Sequence, residues 1–139
     1  MFRPFIAIDI ETNGIPSDKF EPKILEISMI FDDMGYCNLK EPKELHLYIK
    51  HDEYTWENKE VEELNKSIIE KCESEGVSLD EAYKLISSFV HENRILNDGY
   101  DISFAAKNAN KLVIPCMESN GFMVEGLSWK VIDVSSLYF

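Results

Sequence analysis

A mixed α/β layer fold with the element order β-β-β-α-α-β-α-β is what the sequence predicts, on three observations. Strand-like apolar runs come first, "FIAIDI", "KILEISMIF" and the alternating "ELHLYIK". The apolar period then becomes helical through the middle of the chain. Strand-like and helix-like stretches alternate after that, which is the pattern of strands layered with helices.

Phe5 to Ile10 reads as a central strand because apolar residues fill both faces. "NGIPSD" is a loop by its Asn-Gly and Pro content. Lys23 to Phe31 is an Ile-rich second strand, and "DDMG" is turn chemistry. Glu44 to Lys50 closes a three-strand meander. Val61, Leu64, Ile68 and Cys72 fall at helical spacing among glutamates, and Gly76 is placed to stop that helix. Ser78 and Glu81 form a capping box. Leu79, Ala82, Tyr83, Ile86, Phe89 and Val90 then make one apolar stripe. Asp101 to Ala106 is a short strand. A helix from Asn108 to Asn120-Gly121, bent at Pro115, follows. Lys130 to Val134 is the last strand, and "SSLYF" offers an N-cap and the first residues of another helix.

The 139 residues, 45% hydrophobic and 12% aromatic, suit one folded domain over residues 1–139. No run is long and apolar enough for a membrane span, and "MFRPFIAIDI" lacks the features of a signal peptide. A cytoplasmic protein with no membrane partner is expected. Cys37, Cys72 and Cys116 are widely spaced with no C-x-x-C pair, which argues against zinc and for reduced thiols. Trp56 and Trp129 read as half-buried packing residues. Fourteen Lys and Arg against twenty-six Asp and Glu give a net charge of −12. Such a field repels nucleic acid unless divalent ions or a local basic patch intervene, and it suits a basic partner.

Asp9 and Glu11 pose the chemical question. Side chains alternate along a strand, so the two acids share a face. Like charges a few ångströms apart resist joint ionisation, and burial adds to the penalty. A cation, a basic partner or a strand end open to water would relieve it. Hard divalent ions prefer such oxygen ligands, and a pair of them can activate water in phosphodiester hydrolysis.

"FIAIDIETNGI" followed by "KILEISMIF" resembles the first motif of the DEDD 3′–5′ exonuclease superfamily, Asp-x-Glu-Thr-x-Gly on the first strand, in residues Asp9, Glu11, Thr12 and Gly14. "FAAKNANKLVIPCM" resembles the second motif through Lys107 and Asn108, with Leu112 standing for its Phe and Met117 for its Leu. "VIDVSSL" resembles the strand and helix start that follow. The resemblance implies an RNase H-like, three-layer mixed sheet. It implies that Asp9 and Glu11 bind Mg²⁺ or Mn²⁺ and carry hydrolysis at the 3′ end of a single-stranded nucleic acid. The backbone around Thr12, Asn13 and Gly14, with Ile15 as a wedge and Lys107 and Asn108 nearby, would hold the terminal nucleotide.

The resemblance also has gaps. Val113 stands where the second motif has its metal-binding Asp, and valine ligates no metal. The third motif, which would bring the fourth Asp and a His or Tyr base, is expected in a helix after "SSLYF". The C-terminal helices of the family are therefore expected to be lacking, and a protein partner or a second copy is expected to cover the exposed face. Asp101, Asp133 and Glu118 are the candidates to replace lost ligands. Three functions follow: a metal-dependent exonuclease, impaired or completed by other residues; a catalytically dead scaffold whose acidic surface binds a nucleic-acid-processing protein; and, weakest, a single-strand-binding module, for which Lys107, Lys111 and Lys130 are a thin basic set with no aromatic row between them.

Overall fold

Ile6, Ile8 and Ile10 are buried, while Asp9 and Glu11 are exposed, so the first strand is buried on one face only. The expectation of apolar residues on both faces is corrected here: the even-numbered positions carry the core and the odd-numbered ones do not. In the computed structural model, which describes residues 3–35 and 41–137, this strand is β1 (Phe5–Thr12). It pairs antiparallel with β2 (Ile24–Asp32), which pairs antiparallel with β3 (Lys43–Tyr48). The Asp-rich turn after β2 forms as its residues demand. The Asp32 carboxylate accepts from Met34 N at 2.8 Å and that of Asp33 from Gly35 N at 3.0 Å.

The helical stretch after β3 is two helices, α1 (Lys59–Leu64) and α2 (Lys66–Glu75). Buried Asn65 divides them, its side-chain amide donating to Val61 O at 2.8 Å. Side-chain bonding to nearby backbone of this kind competes with the helical ladder. The break takes Leu64 out of the apolar stripe that its spacing predicted, and it is exposed. Gly76 does end α2, through close approach rather than a left-handed turn. A Cβ there would run into the Cys72 carbonyl and sit 2.9 Å from Lys50 N. α3 (Leu79–Leu96) starts at the expected cap, Ser78 Oγ accepting from Glu81 N at 3.1 Å. Ala82, Ile86, Phe89 and Val90 are buried, but Leu79 and Tyr83 are exposed. Leu79 sits in the first turn and Tyr83 at the rim of the stripe, where a helix face leaves the core.

β4 (Ile102–Ala106) pairs parallel with β1, and β5 (Leu127–Asp133) parallel with β4. Between them the predicted bent helix is a π-helical turn (Ala109–Val113) followed by α4 (Ile114–Ser119). Pro115 falls in the first turn of α4, where its missing N–H breaks no ladder bond. Val134–Leu137 form a 3₁₀ turn after β5. Among the described residues the strands form one mixed sheet in the order β3-β2-β1-β4-β5, with β1 central. One apolar cluster joins β1, β2 and β4 to α3 and α4, and Cys116 and Met117 belong to it.

Cys72 and Cys116 are free and buried; Cys37 lies outside the described residues. Burial raises the Cys116 thiol to about 11 and also raises that of Cys72. Trp56 is half-buried, and the side chain of Trp129 lies outside the described residues. No described helix is long and apolar enough to cross a membrane.

Candidate functional site

The face of β1 turned away from the core carries Phe5, Ala7, Asp9 and Glu11. Antiparallel pairing adds the neighbours. Asp9 lies opposite Ser28, which lies opposite His46; Glu11 lies opposite Glu26, which lies opposite Tyr48. Residues directly opposite one another point to the same side. The result is a polar field across three strands, with Asp9, Glu11 and Glu26 as its acids. Glu11 is held above the usual carboxylate range, first by partial burial, then by the charges of Asp9 and Glu26. Glu26 is 2.7 Å from His46 Nε2 and also bonds the Tyr48 phenol. His46 and Tyr48 meet edge to face, their ring centroids 4.9 Å apart.

Of these residues, reading the chain alone picks out Asp9 and Glu11 and passes over Glu26, Ser28, His46 and Tyr48. Alternation in "KILEIS" and "ELHLYIK" puts each pair on one face of its own strand. Only the register across strands joins them to the acids. His46 is two strand spacings from Asp9, roughly 10 Å at about 4.8 Å each. Its partner is the nearer Glu26, which it orients.

The loop after β1 is tightly built. A register shift between Glu11 and Thr12 turns the end of the strand. Thr12 Oγ1 donates to Gly14 O at 2.6 Å. Asn13 is fully buried; its Nδ2 donates to Thr55 O at 2.6 Å and its Oδ1 accepts from Lys23 N at 2.7 Å. Its backbone N–H and C=O are also used, by Lys23 and Glu57. Asn13 thus positions the loop from the interior of the protein. Gly14 is required by space: a Cβ would run into the Phe20 ring and lie 2.8 Å from Glu57 Cβ. Ile15 follows at 64% exposure, its N–H held by Glu57 Oε2 at 2.9 Å. A large apolar side chain is therefore exposed on the loop that follows the acid pair.

Lys107 and Asn108 are both exposed, and Asn108 is left-handed with φ 55°. Because Ala7 lies opposite Ala105 in the parallel pair, they leave the sheet at the level of Asp9. Val113 is 2% exposed and belongs to the core cluster.

The replacement acids lie elsewhere. Asp101 precedes β4, at the far end of the sheet, and is 3.1 Å from Arg94 Nη2. Asp133 lies opposite buried Ala106, on the core side. It accepts from Ser135 N at 3.1 Å and Ser135 Oγ at 2.5 Å. The Ser135 hydroxyl first, then backbone N–H groups including those of Asn110 and Asn108, hold its carboxyl below the usual range. Glu118 is exposed on α4, whose buried residues enter the core cluster. Among the described residues no group of three or more His, Cys, Asp or Glu is placed to enclose a metal ion.

What the arrangement offers is a pair of carboxylate oxygens on an open face. That donor set suits one hard cation of the Mg²⁺ type, which keeps several waters and takes one or two carboxylates together with substrate phosphates. No family model matches this chain, and no curated protein matches its sequence.

Proposed function

We propose that this chain is a 3′–5′ exonuclease-family protein on an RNase H-like fold, acting on the 3′ end of a single-stranded nucleic acid. The observation that carries the reading is the acid pair: Asp9 and Glu11 project together from the central strand of a mixed sheet, onto a face open to solvent. The sheet order β3-β2-β1-β4-β5, antiparallel on one side of β1 and parallel on the other, supports the fold. So does the exposed Ile15 on the loop that follows the acids.

Asp9 and Glu11 would hold Mg²⁺ or Mn²⁺; when bound, such an ion neutralises phosphate oxygens and lowers the pKa of water. The Glu11 carboxyl is raised first by partial burial and then by the like charges of Asp9 and Glu26, and a bound cation would offset that repulsion. Ile15 would pack on the terminal base and set the strand end against the acids. Lys107 would offer a point charge to the phosphate at the same level.

Buried Val113 favours a second reading, a scaffold that has lost catalysis and binds a nucleic-acid-processing protein or a second copy through its acidic face. One assay separates the two: Mn²⁺-dependent release of mononucleotides from a short end-labelled single strand. The enzyme reading expects turnover in wild type and a loss of about 100-fold or more in Asp9→Asn and in Glu11→Gln. No release at high protein concentration, or release that survives both substitutions, would overturn it.

A further inference from the structure

Arg3, Arg94 and Lys130 line one cleft of about 510 Å³, together with Asp101, Ser103 and Ser128. Three cations against one acid make +2 there, in a chain whose net charge is −12. The cations are not equivalent. Arg94 is committed, 3.1 Å from Asp101 and donating from Nε to Gly99 O at 3.0 Å. Arg3 and Lys130 are exposed and join no ion pair among the described residues. Arg3 stacks 5.3 Å from the centroid of Tyr100, itself 63% exposed and also lining the cleft.

The cleft lies at the end of the sheet where β1 and β4 begin, with Arg94 reaching it from α3 and Ser103 and Lys130 from the side that carries the acids. Ser103 lies opposite Phe5, which shares its face with Ala7, Asp9 and Glu11. Lys130 precedes Val131, which packs toward the core, so alternation places Lys130 on that open side. From Arg3, which lines the cleft, to Asp9 is six residues, roughly 20 Å of extended chain.

We propose that this cleft binds the phosphates of a single-stranded nucleic acid whose end lies at Asp9 and Glu11; the proposal rests on the nuclease reading above. An arginine fork matches phosphate oxygens, a lysine adds a point charge, and serine hydroxyls can donate to the same oxygens. An exposed tyrosine under an arginine is a surface on which bases stack. The cleft also answers the charge problem. It is the local basic patch that an acidic protein needs to admit a polyanion.

The test is fluorescence anisotropy with a short labelled oligothymidylate, in EDTA so that nothing is hydrolysed. Wild type binds. Arg3→Glu and Lys130→Glu each weaken binding about tenfold, and each lowers the slope of log K against log salt by about 0.7. Lys84→Glu, on the exposed side of α3, changes neither by as much. Arg3→Lys keeps most of the affinity, which shows that charge and not folding is being read. Absence of binding by wild type, or equal losses in all three charge reversals, overturns the proposal. So does competition by inorganic phosphate or by a poly-glutamate peptide as effective as that of the strand itself. Binding in EDTA without later nucleotide release fails only the hydrolysis reading. Release with affinity and KM untouched by the reversals fails only the cleft.

Discussion

At the scale of single residues, the environment around a titratable group decides what it can do. Glu11 differs from a solvated acid because the strand partly buries it and Asp9 and Glu26 stand close to it. His51 shows the opposite balance. It is buried, its Nε2 sits 2.7 Å from Ile24 O, and burial holds its pKa below the ordinary 6.5. The folded state therefore binds its proton less readily than the unfolded chain does. The stability that neutral His51 contributes is present above 6.5 and is lost as pH falls below it toward the lower folded value. Urea midpoints are expected to drop between pH 7.5 and about 5.5, and the drop should shrink in His51→Gln. An equal drop in that variant would assign the pH dependence to other groups.

Elements carry the next set of consequences. The π-helical turn and α4 face Val113, Cys116 and Met117 into the core, so the position at which the resemblance places a metal-binding acid is filled by packing. Val113→Asp is thus expected to destabilise the protein by about 3 kcal/mol or more, the scale for an unpaired buried charge, and to leave Mn²⁺ affinity unchanged. Thermal melts with and without Mn²⁺ check both halves. A variant that melts like wild type and gains metal affinity would show that residue 113 reaches the acid face. The end of α2 at Gly76 and the start of α3 at Ser78 were legible in the sequence. The division at Asn65 was not, because whether a buried asparagine bonds its own helix depends on what surrounds it.

For the whole molecule the dominant quantity is charge. At −12, self-repulsion opposes the compact state, and salt should relieve it. Raising NaCl from about 10 mM to about 100 mM shortens the Debye length from about 30 Å to about 10 Å, so Tm is expected to rise by a few degrees. A fall in Tm over that range would mean that favourable ion pairs outweigh repulsion. The surface ion pairs argue against that. Lys66–Glu63 and Lys71–Glu75 are exposed contacts within or beside a helix, a class worth a few tenths of a kcal/mol each.

Alternation and period set the strands, the long helix, its cap and the shared face of Asp9 and Glu11, because those depend on spacings of two to four residues. Which strands lie side by side depends on long-range pairing, and no local pattern encodes it. For that reason Glu26, His46 and Tyr48 joined the acids only in the folded sheet. Arg3 met Tyr100 and Lys130 for the same reason, from opposite ends of the chain. Likewise, β1 read as buried on both sides because isoleucines dominate its composition. Which side is packed was settled by α3 and α4, which enter the core cluster with Ile6, Ile8 and Ile10 and leave Asp9 and Glu11 exposed.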